Sequence, residues 1–366
     1  MAKKKQFKIQ AADLKKVMDK VGLAVSSNPA IPITKNILVQ ITSTTTGYIT
    51  GTDLEMQIGH DIAVDSEIEE AECLIPFELL NKIIALNKGA LMTFVFEGKG
   101  LSIRTETDDY KINVLEKVQD FIKPMESPKE NIEKTLPDLT DDLKRALKTV
   151  NRDQSPAQPA TLRVLLDIKK DGVTIASTDT HYEVFSITKP VKLKSEVELL
   201  LPIKVIKAID GLEDFTVSWD DKKVAINAAE VTIIFTRPEE KFVNFRAIFP
   251  PEFTANLKFD KKEMLLAMEK CALSKDRFKE AALDLKTGII TANDIGSGIK
   301  INVQMNSIDY SGNVSEIHFN ADKMSNLLNQ VPYNNITLAV HQKDRPILFR
   351  SEEEAGYLAL LMPISY

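Results

Sequence analysis

The chain has 366 residues, 43% of them hydrophobic and 27% charged, with a net charge of −6. That length supports two or three domains, and no apolar run approaches the ~20 residues that a membrane-spanning helix needs. The acidic balance excludes a general nucleic-acid binder unless the basic residues are segregated onto one surface.

Met1-Ala-Lys-Lys-Lys-Gln6 is basic but no apolar stretch follows, so no signal peptide and a cytoplasmic location are expected. The first predicted helix covers residues 11–21, with Leu14, Val17, Met18 and Val21 at helical spacing. A strand over 36–41, a Thr-Asp turn over 50–56 and a strand over 57–64 follow. Cys73, like Cys271 later, falls in an apolar-periodic segment and reads as a buried free thiol. Neither has a Cys or His neighbour at zinc-ligand spacing, and no metal or other cofactor is expected. A second helix over 75–84 has Pro76 in its first turn. A hairpin, 101–104 with 110–115, closes the unit, and a polar linker spans 123–131.

The succession then repeats. A helix over 139–150 with Thr140 as its cap precedes a strand over 162–168, a turn at 177–181 and a strand over 182–187. A helix over 201–209 with Pro202 in its first turn and a hairpin, 224–226 with 231–236, complete the second copy. The third copy follows residues 249–254. It has a helix over 259–271 capped by Asp260, a strand over 282–285, a turn at 291–294 and a strand over 299–305. Its second helix, over 319–328, is capped by an asparagine, and its hairpin pairs 347–349 with 357–362. Five elements in one order, three times over, predict three similar domains at 1–125, 126–250 and 251–366. The fold class is α+β, with two helices packed on antiparallel sheet in each domain.

The basic residues recur with the helices. Lys16 and Lys20 share a face with Lys15 beside them; Lys144 and Lys148 do the same beside Arg145. Lys82, Lys204, Lys207 and Lys323 lie on the second helices, while acidic runs fall in predicted loops and hairpins. Each helix alone reads as a solvated face; the repetition points to a basic surface that tracks phosphates. Were two chains to line a ring with twelve helices about 10 Å wide, the bore would be roughly 30 Å, enough for a duplex whose bases are never read.

Ser177, Asp179 and His181 are close enough in sequence to suggest a hydrolase triad, but no Gly-x-Ser-x-Gly elbow and no phosphate loop occur. His60, His318 and His341 are single, as surface or packing histidines would be. A non-enzyme is expected. A peptide-binding scaffold that does not encircle DNA is the alternative.

Several stretches carry a resemblance: Ile31-Pro-Ile-Thr-Lys-Asn-Ile-Leu-Val39 leading to Gly51-Thr-Asp-Leu-Glu-Met56, then Thr178-Asp-Thr-His181, Leu273-Ser-Lys-Asp-Arg-Phe278 and Leu361-Met-Pro-Ile364. With the threefold repeat, they make the chain resemble the bacterial DNA polymerase III beta subunit family, the replicative sliding clamps, over essentially its whole length. The resemblance implies a head-to-tail homodimeric ring of clamp fold. Such a ring encircles double-stranded DNA and tethers the replicative polymerase and other clamp-binding-motif proteins, and a clamp loader opens it.

For the partner-peptide cleft the resemblance implies Leu162, Thr178, Thr180, His181, Val243, Ile248, Leu360, Met362, Pro363 and Ile364; Leu360 and Met362 also read as a last core strand. The cleft departs from the family. Thr180 stands where glycine is usual, Tyr182-Glu183 replaces a basic-apolar pair, Val243 and Ala247 replace proline and arginine, and Ser365 replaces a terminal arginine. For the dimer interface it implies Tyr110 and Ile112 against Ala272 and Leu273. Asp108 and Asp109 stand on the first-domain edge and Lys300 opposite, a reversal of the usual ion-pair polarity. Lys16 and Lys204 match basic family positions for DNA contact, whereas Asn28 and Glu78 stand where arginine is common. The remaining cations, Lys15, Lys20, Lys82, Lys144, Arg145, Lys148, Lys207 and Lys323, rest on helix geometry.

Overall fold

A computed structural model describes residues 5–97, 100–113, 117–129, 132–133, 139–153, 157–274, 276–294 and 296–364. Leu115, Lys275 and Ser365, which enter the readings above, lie outside the described residues.

The element order runs three times through one theme. The first pass is β1 (Gln6–Gln10), α1 (Ala11–Val21), β2 (Asn36–Ile41), β3 (Thr46–Thr52), β4 (Met56–Ala63), β5 (Asp65–Ser66), β6 (Ala71–Pro76), α2 (Phe77–Leu86), β7 (Leu91–Glu97), β8 (Gly100–Arg104) and β9 (Asp109–Asn113). The second is β10 (Ile132–Glu133), α3 (Leu139–Ala146), β11 (Arg163–Lys169), β12 (Gly172–Thr178), β13 (Glu183–Pro190), β14 (Val197–Pro202), α4 (Ile203–Ile209), β15 (Thr216–Trp219), β16 (Lys223–Asn227) and β17 (Val231–Thr236). The third is β18 (Ala255–Asp260), α5 (Lys261–Cys271), β19 (Glu280–Asp284), β20 (Ile289–Asp294), β21 (Ile299–Gln304), β22 (Ile308–Gly312), β23 (Glu316–Asn320), α6 (Ala321–Leu328), β24 (Asn335–Val340), β25 (Ile347–Arg350) and β26 (Tyr357–Leu361).

Local chemistry explains the helix starts. Asp260 accepts a bond from the Glu263 N–H at 2.9 Å, and Asn320 from the Lys323 N–H at 3.0 Å, each meeting an orphan donor of the first turn. Pro76 and Pro202 close strands β6 and β14 instead of opening helices, since fixed φ and a missing N–H suit the step between the two. Thr140 lies inside α3, not at its cap, because Leu139 is already helical. The same helix stops at Ala146, short of the expected residue 150. There Lys148 and Thr149 donate to the carbonyls of Arg145 and Ala146, the tightened spacing of a closing turn.

The chain forms two compact units, Met1–Asp138 with Lys204–Pro238 and Leu139–Ile203 with Glu239–Tyr366. The first holds a five-stranded sheet, β5-β1-β7-β8-β9, and an eight-stranded sheet, β10-β15-β16-β17-β4-β3-β2-β6. The second holds a nine-stranded sheet, β14-β11-β12-β13-β26-β25-β24-β18-β22, and a four-stranded sheet, β21-β20-β19-β23. Two sheets thus join strands of successive passes: β17 pairs antiparallel with β4, and β26 with β13.

Both cores are closed by helix stripes on sheet. Leu14, Val17, Met18 and Val21 of α1, and Met264, Ala267, Met268 and Cys271 of α5, are buried at helical spacing. Cys73 and Cys271 are buried free thiols, and burial pushes the Cys271 thiol up to about 11. No helix is long and apolar enough to cross a membrane among the described residues.

Candidate functional site

The turn linking β12 to β13 is built by one aspartate. Asp179 Oδ1 accepts from the N–H groups of His181, Tyr182 and Glu183 at 3.1, 2.8 and 2.8 Å. Thr178 Oγ1 accepts from the Thr180 N–H and donates to the Glu183 carbonyl. This holds Thr180 at φ +67°, the left-handed region that a β-branched residue avoids. The first pass has the same construction: Asp53 accepts from the Met56 N–H, and Leu54 sits at φ +80°. The repeated Thr-Asp pair is therefore a structural staple, which is why it recurs.

His181 and Thr180 project from this turn into solvent. The C-terminal segment is tied to it, because the Met362 N–H donates to the Tyr182 carbonyl at 2.8 Å and the Ile364 N–H to the His318 carbonyl at 2.9 Å. Thr178 is buried beneath the turn. Val243 packs on a core cluster of Ala160, Leu165, Phe245 and Leu360. Leu360 is 1% exposed and serves that core; it does not line a surface cleft. Ile248 is an exposed apolar residue, and Leu162, Met362, Pro363 and Ile364 are half-buried.

Three residues do not form a hydrolytic relay. The Ser177 hydroxyl is fully buried and donates to the Ala146 carbonyl at 2.7 Å, while Asp179 is spent on the turn. His181 lies 3.9 Å from Asp153 instead.

Behind the turn sits a charge cluster that sequence reading missed. Lys323 of α6 donates to Asp179 Oδ2 at 2.8 Å and Glu183 Oε2 at 3.2 Å, and Asn326 donates to both Glu183 oxygens. Glu183 is 2% exposed. Burial pushes its carboxyl up to about 7, against the pull of Asn326 and Lys323. A raised acid contributes stability that is fully present below its ordinary value and is lost as pH rises through the folded one. The displacement from 4.5 to about 7 corresponds to roughly 3 kcal/mol. Relative to Glu183→Gln, the wild-type chain should therefore lose stability between pH 4.5 and about 7, as read from urea unfolding at stepped pH. Parallel stability curves for the two proteins would refute this.

The helix cations divide into two groups. Lys16, Lys82, Lys148, Lys204 and Lys207 are exposed, although Lys16 pairs with Asp13 at 3.0 Å and Lys204 with Asp53 at 2.9 Å. Lys15 pairs with Asp19, and Lys144 with Asp141. The others are turned inward. Lys20 donates to the carbonyls of Ala208 and Asp210 at the end of α4; the exposed Lys148 also donates to a carbonyl, that of Asn329 at the end of α6. Burial lowers the Lys20 pKa although Asp210 opposes it. Arg145 is a structural residue: its guanidinium binds Glu354, Asp142 and the Gln330 carbonyl and lies over the Phe185 and Tyr357 rings.

Among the described residues the four sheets have eight edge strands, and two of them carry expected interface residues. β9 is the last strand of its sheet and β21 the first of another. Exposed apolar side chains include Leu86 and Leu91 in one unit and Leu273, Phe278 and Ile299 in the other. Ala272 and Lys300 are exposed, Tyr110 is half-buried and Ile112 is buried. Asp109 does not stand ready for a cation across an interface. It already accepts from Ser102 and from Arg104, and the Ser102 bond above all, with Arg104, holds its carboxyl below the usual range. Asp108 is engaged by the Thr105 and Thr107 hydroxyls.

Antiparallel sheets that join strands of successive passes, with helices recurring in each pass, define a repeat-built α+β chain. Residues 5–122 match the family model of the DNA polymerase III beta subunit, N-terminal domain. The chain is 20% identical to the beta sliding clamp of Synechococcus elongatus over 94% of its own length and 95% of that protein. It is 21% identical to the beta sliding clamp of Proteus mirabilis, covering 98% and 99%. The crystal structure of the sliding clamp, DNA polymerase III subunit beta, from Pseudomonas aeruginosa superposes with a TM-score of 0.88 at 17% identity, covering 99% of this chain and all of that one. The chain is a divergent relative of the beta sliding clamps.

Proposed function

We propose that this chain is a DNA sliding clamp, which encircles duplex DNA without reading its bases and holds the replicative polymerase there. The observation that carries this reading is the match to beta sliding clamps along nearly their full length. The open edges β9 and β21 support its ring form. Two copies meet head to tail through these edges, so that three clamp domains per chain, 1–125, 126–250 and 251–366, make six around the DNA.

The exposed lysines of the helices hold phosphates loosely, and the i,i+3 and i,i+4 acids beside several of them weaken each contact, as sliding requires. The 179–183 turn, Val243 and the segment 362–364 form a docking cleft for a peptide of the polymerase, of the clamp loader or of other DNA-processing partners. The chain works in the cytoplasm and catalyses no reaction.

The decisive measurement is retention on DNA of two topologies. Loaded on a nicked circle, the protein should stay bound through gel filtration at 0.5 M salt and be lost when the circle is linearised. Equal loss from both forms would sink the encirclement and leave a scaffold.

A further inference from the structure

Lys323 stands on the first turn of α6, where a basic residue on a helix face reads as a phosphate contact, but its surroundings assign it elsewhere. Its side chain is 31% exposed and bridges two carboxylates of the 179–183 turn, while its Nζ lies 5.7 Å from the Tyr182 ring centroid. It also walls a cavity of about 490 Å³ with Lys148, Arg152, His181, Tyr182 and Asn326. The turn it grips carries a left-handed threonine, and its Tyr182 carbonyl anchors Met362.

The two other places where the repeat puts this strand start carry Met56 and Ile299, both apolar; only here is a carboxylate, Glu183, buried at the start of the strand. A buried carboxylate needs a partner, and Lys323 and Asn326 supply it. We propose that Lys323 is a positioning residue: through Asp179 and Glu183 it fixes the 179–183 turn, and through the Tyr182 carbonyl it fixes the segment 362–364, so that α6 sets the geometry of the partner-docking surface. The proposal rests on the reading of that surface as the polymerase-docking site. Burial alone would lower the Lys323 pKa, but the bonds to Asp179 and Glu183 outweigh it and raise it; Asp179 is held down in turn, burial notwithstanding, by Lys323 and the turn's N–H groups.

The test uses the full chain with Lys323→Met and Lys323→Arg. Amide hydrogen exchange is followed at His181, Tyr182, Glu183 and Met362, with titration of the replicative polymerase catalytic subunit from the same cell. In Lys323→Met, exchange at these amides should speed up roughly tenfold or more and polymerase affinity should drop by a similar factor, because a charge-assisted hold is lost. Lys323→Arg should restore both, and the salt dependence of retention on circular DNA should not change. Unchanged amide exchange in Lys323→Met, or a shallower salt dependence on DNA with the turn intact, would overturn the proposal. If the wild-type chain is itself not retained on circles, the clamp reading fails while the exchange data still judge the role of Lys323.

Discussion

Ile301→Lys should leave the chain folded and monomeric at micromolar concentration, where the proposed ring requires the wild type to sediment at twice the mass. The repeat supplies the register from which this follows. Aligned on their Asp turns, Thr52, Thr178 and Asn293 are equivalent, and they pair with Gln57, Val184 and Lys300. In the closing hairpins Val224, Leu101 and Ile347 are equivalent, and they pair with Phe235, Ile112 and Leu361.

The two joints within the chain then share one register: Phe235 faces Met56 as Leu361 faces Glu183, and Ile233 faces Ile58 as Ala359 faces Phe185. Carried to the open edges, it sets Ile112 against Ile299, Lys111 against Lys300 and Tyr110 against Ile301 of a second copy. The burial agrees, since Met56–His60 of β4 and Glu183–Ile187 of β13 are buried throughout, whereas β21 is exposed at Ile299, Lys300, Asn302 and Gln304. A lysine at 301 would place an unpaired charge in both joints of the ring, each costing about 3 kcal/mol or more. Its half-exposed edge position keeps the fold intact, which the melting curve checks.

In the proposed ring, the same register would set Lys111 opposite Lys300, where an attraction to the first-domain aspartates is expected from the sequence. On that pairing, Lys300→Glu should tighten the dimer roughly two- to five-fold per joint. A weaker dimer would restore the reversed ion pair.

What the sequence makes legible is whatever is local. The caps at Asp260 and Asn320, the apolar stripes of α1 and α5 and the Asp-centred turns each depend on residues within a few positions, and all were readable there. The pairing of β17 with β4 joins residues some 170 positions apart, and no periodicity announces it. The helical wheel fails for the same reason at Lys20, Arg145 and Lys323. On an isolated helix these are polar-face cations; in the fold their partners come from other passes of the repeat. Glu183, legible in the sequence only as half of a substituted pair at the expected cleft, is the buried carboxylate at a strand joint.

Arg145→Ala should lower the stability of its unit by about 3–5 kcal/mol, the usual result of stripping one partner from a buried ionic cluster. The guanidinium is 13% exposed and makes a forked pair with Glu354 at 3.0 and 2.8 Å, plus bonds to Asp142 at 2.9 Å and the Gln330 carbonyl at 2.6 Å. Asp142 keeps Lys189 at 2.7 Å after the change. Among the described residues Glu354, 17% exposed, keeps no cation, so most of the penalty sits there. In a unit of this size the loss corresponds to roughly 10 °C in melting temperature. Removing both charges in Arg145→Met with Glu354→Leu should recover a large part of it, because no carboxylate is then stranded. If Arg145 instead served as a phosphate contact, Arg145→Ala would melt like the wild type and release DNA at lower salt. Differential scanning calorimetry of the two variants separates these outcomes: an unchanged melting point in the single variant, or a double variant that melts below it, would remove Arg145 from the framework and return it to the basic helix face.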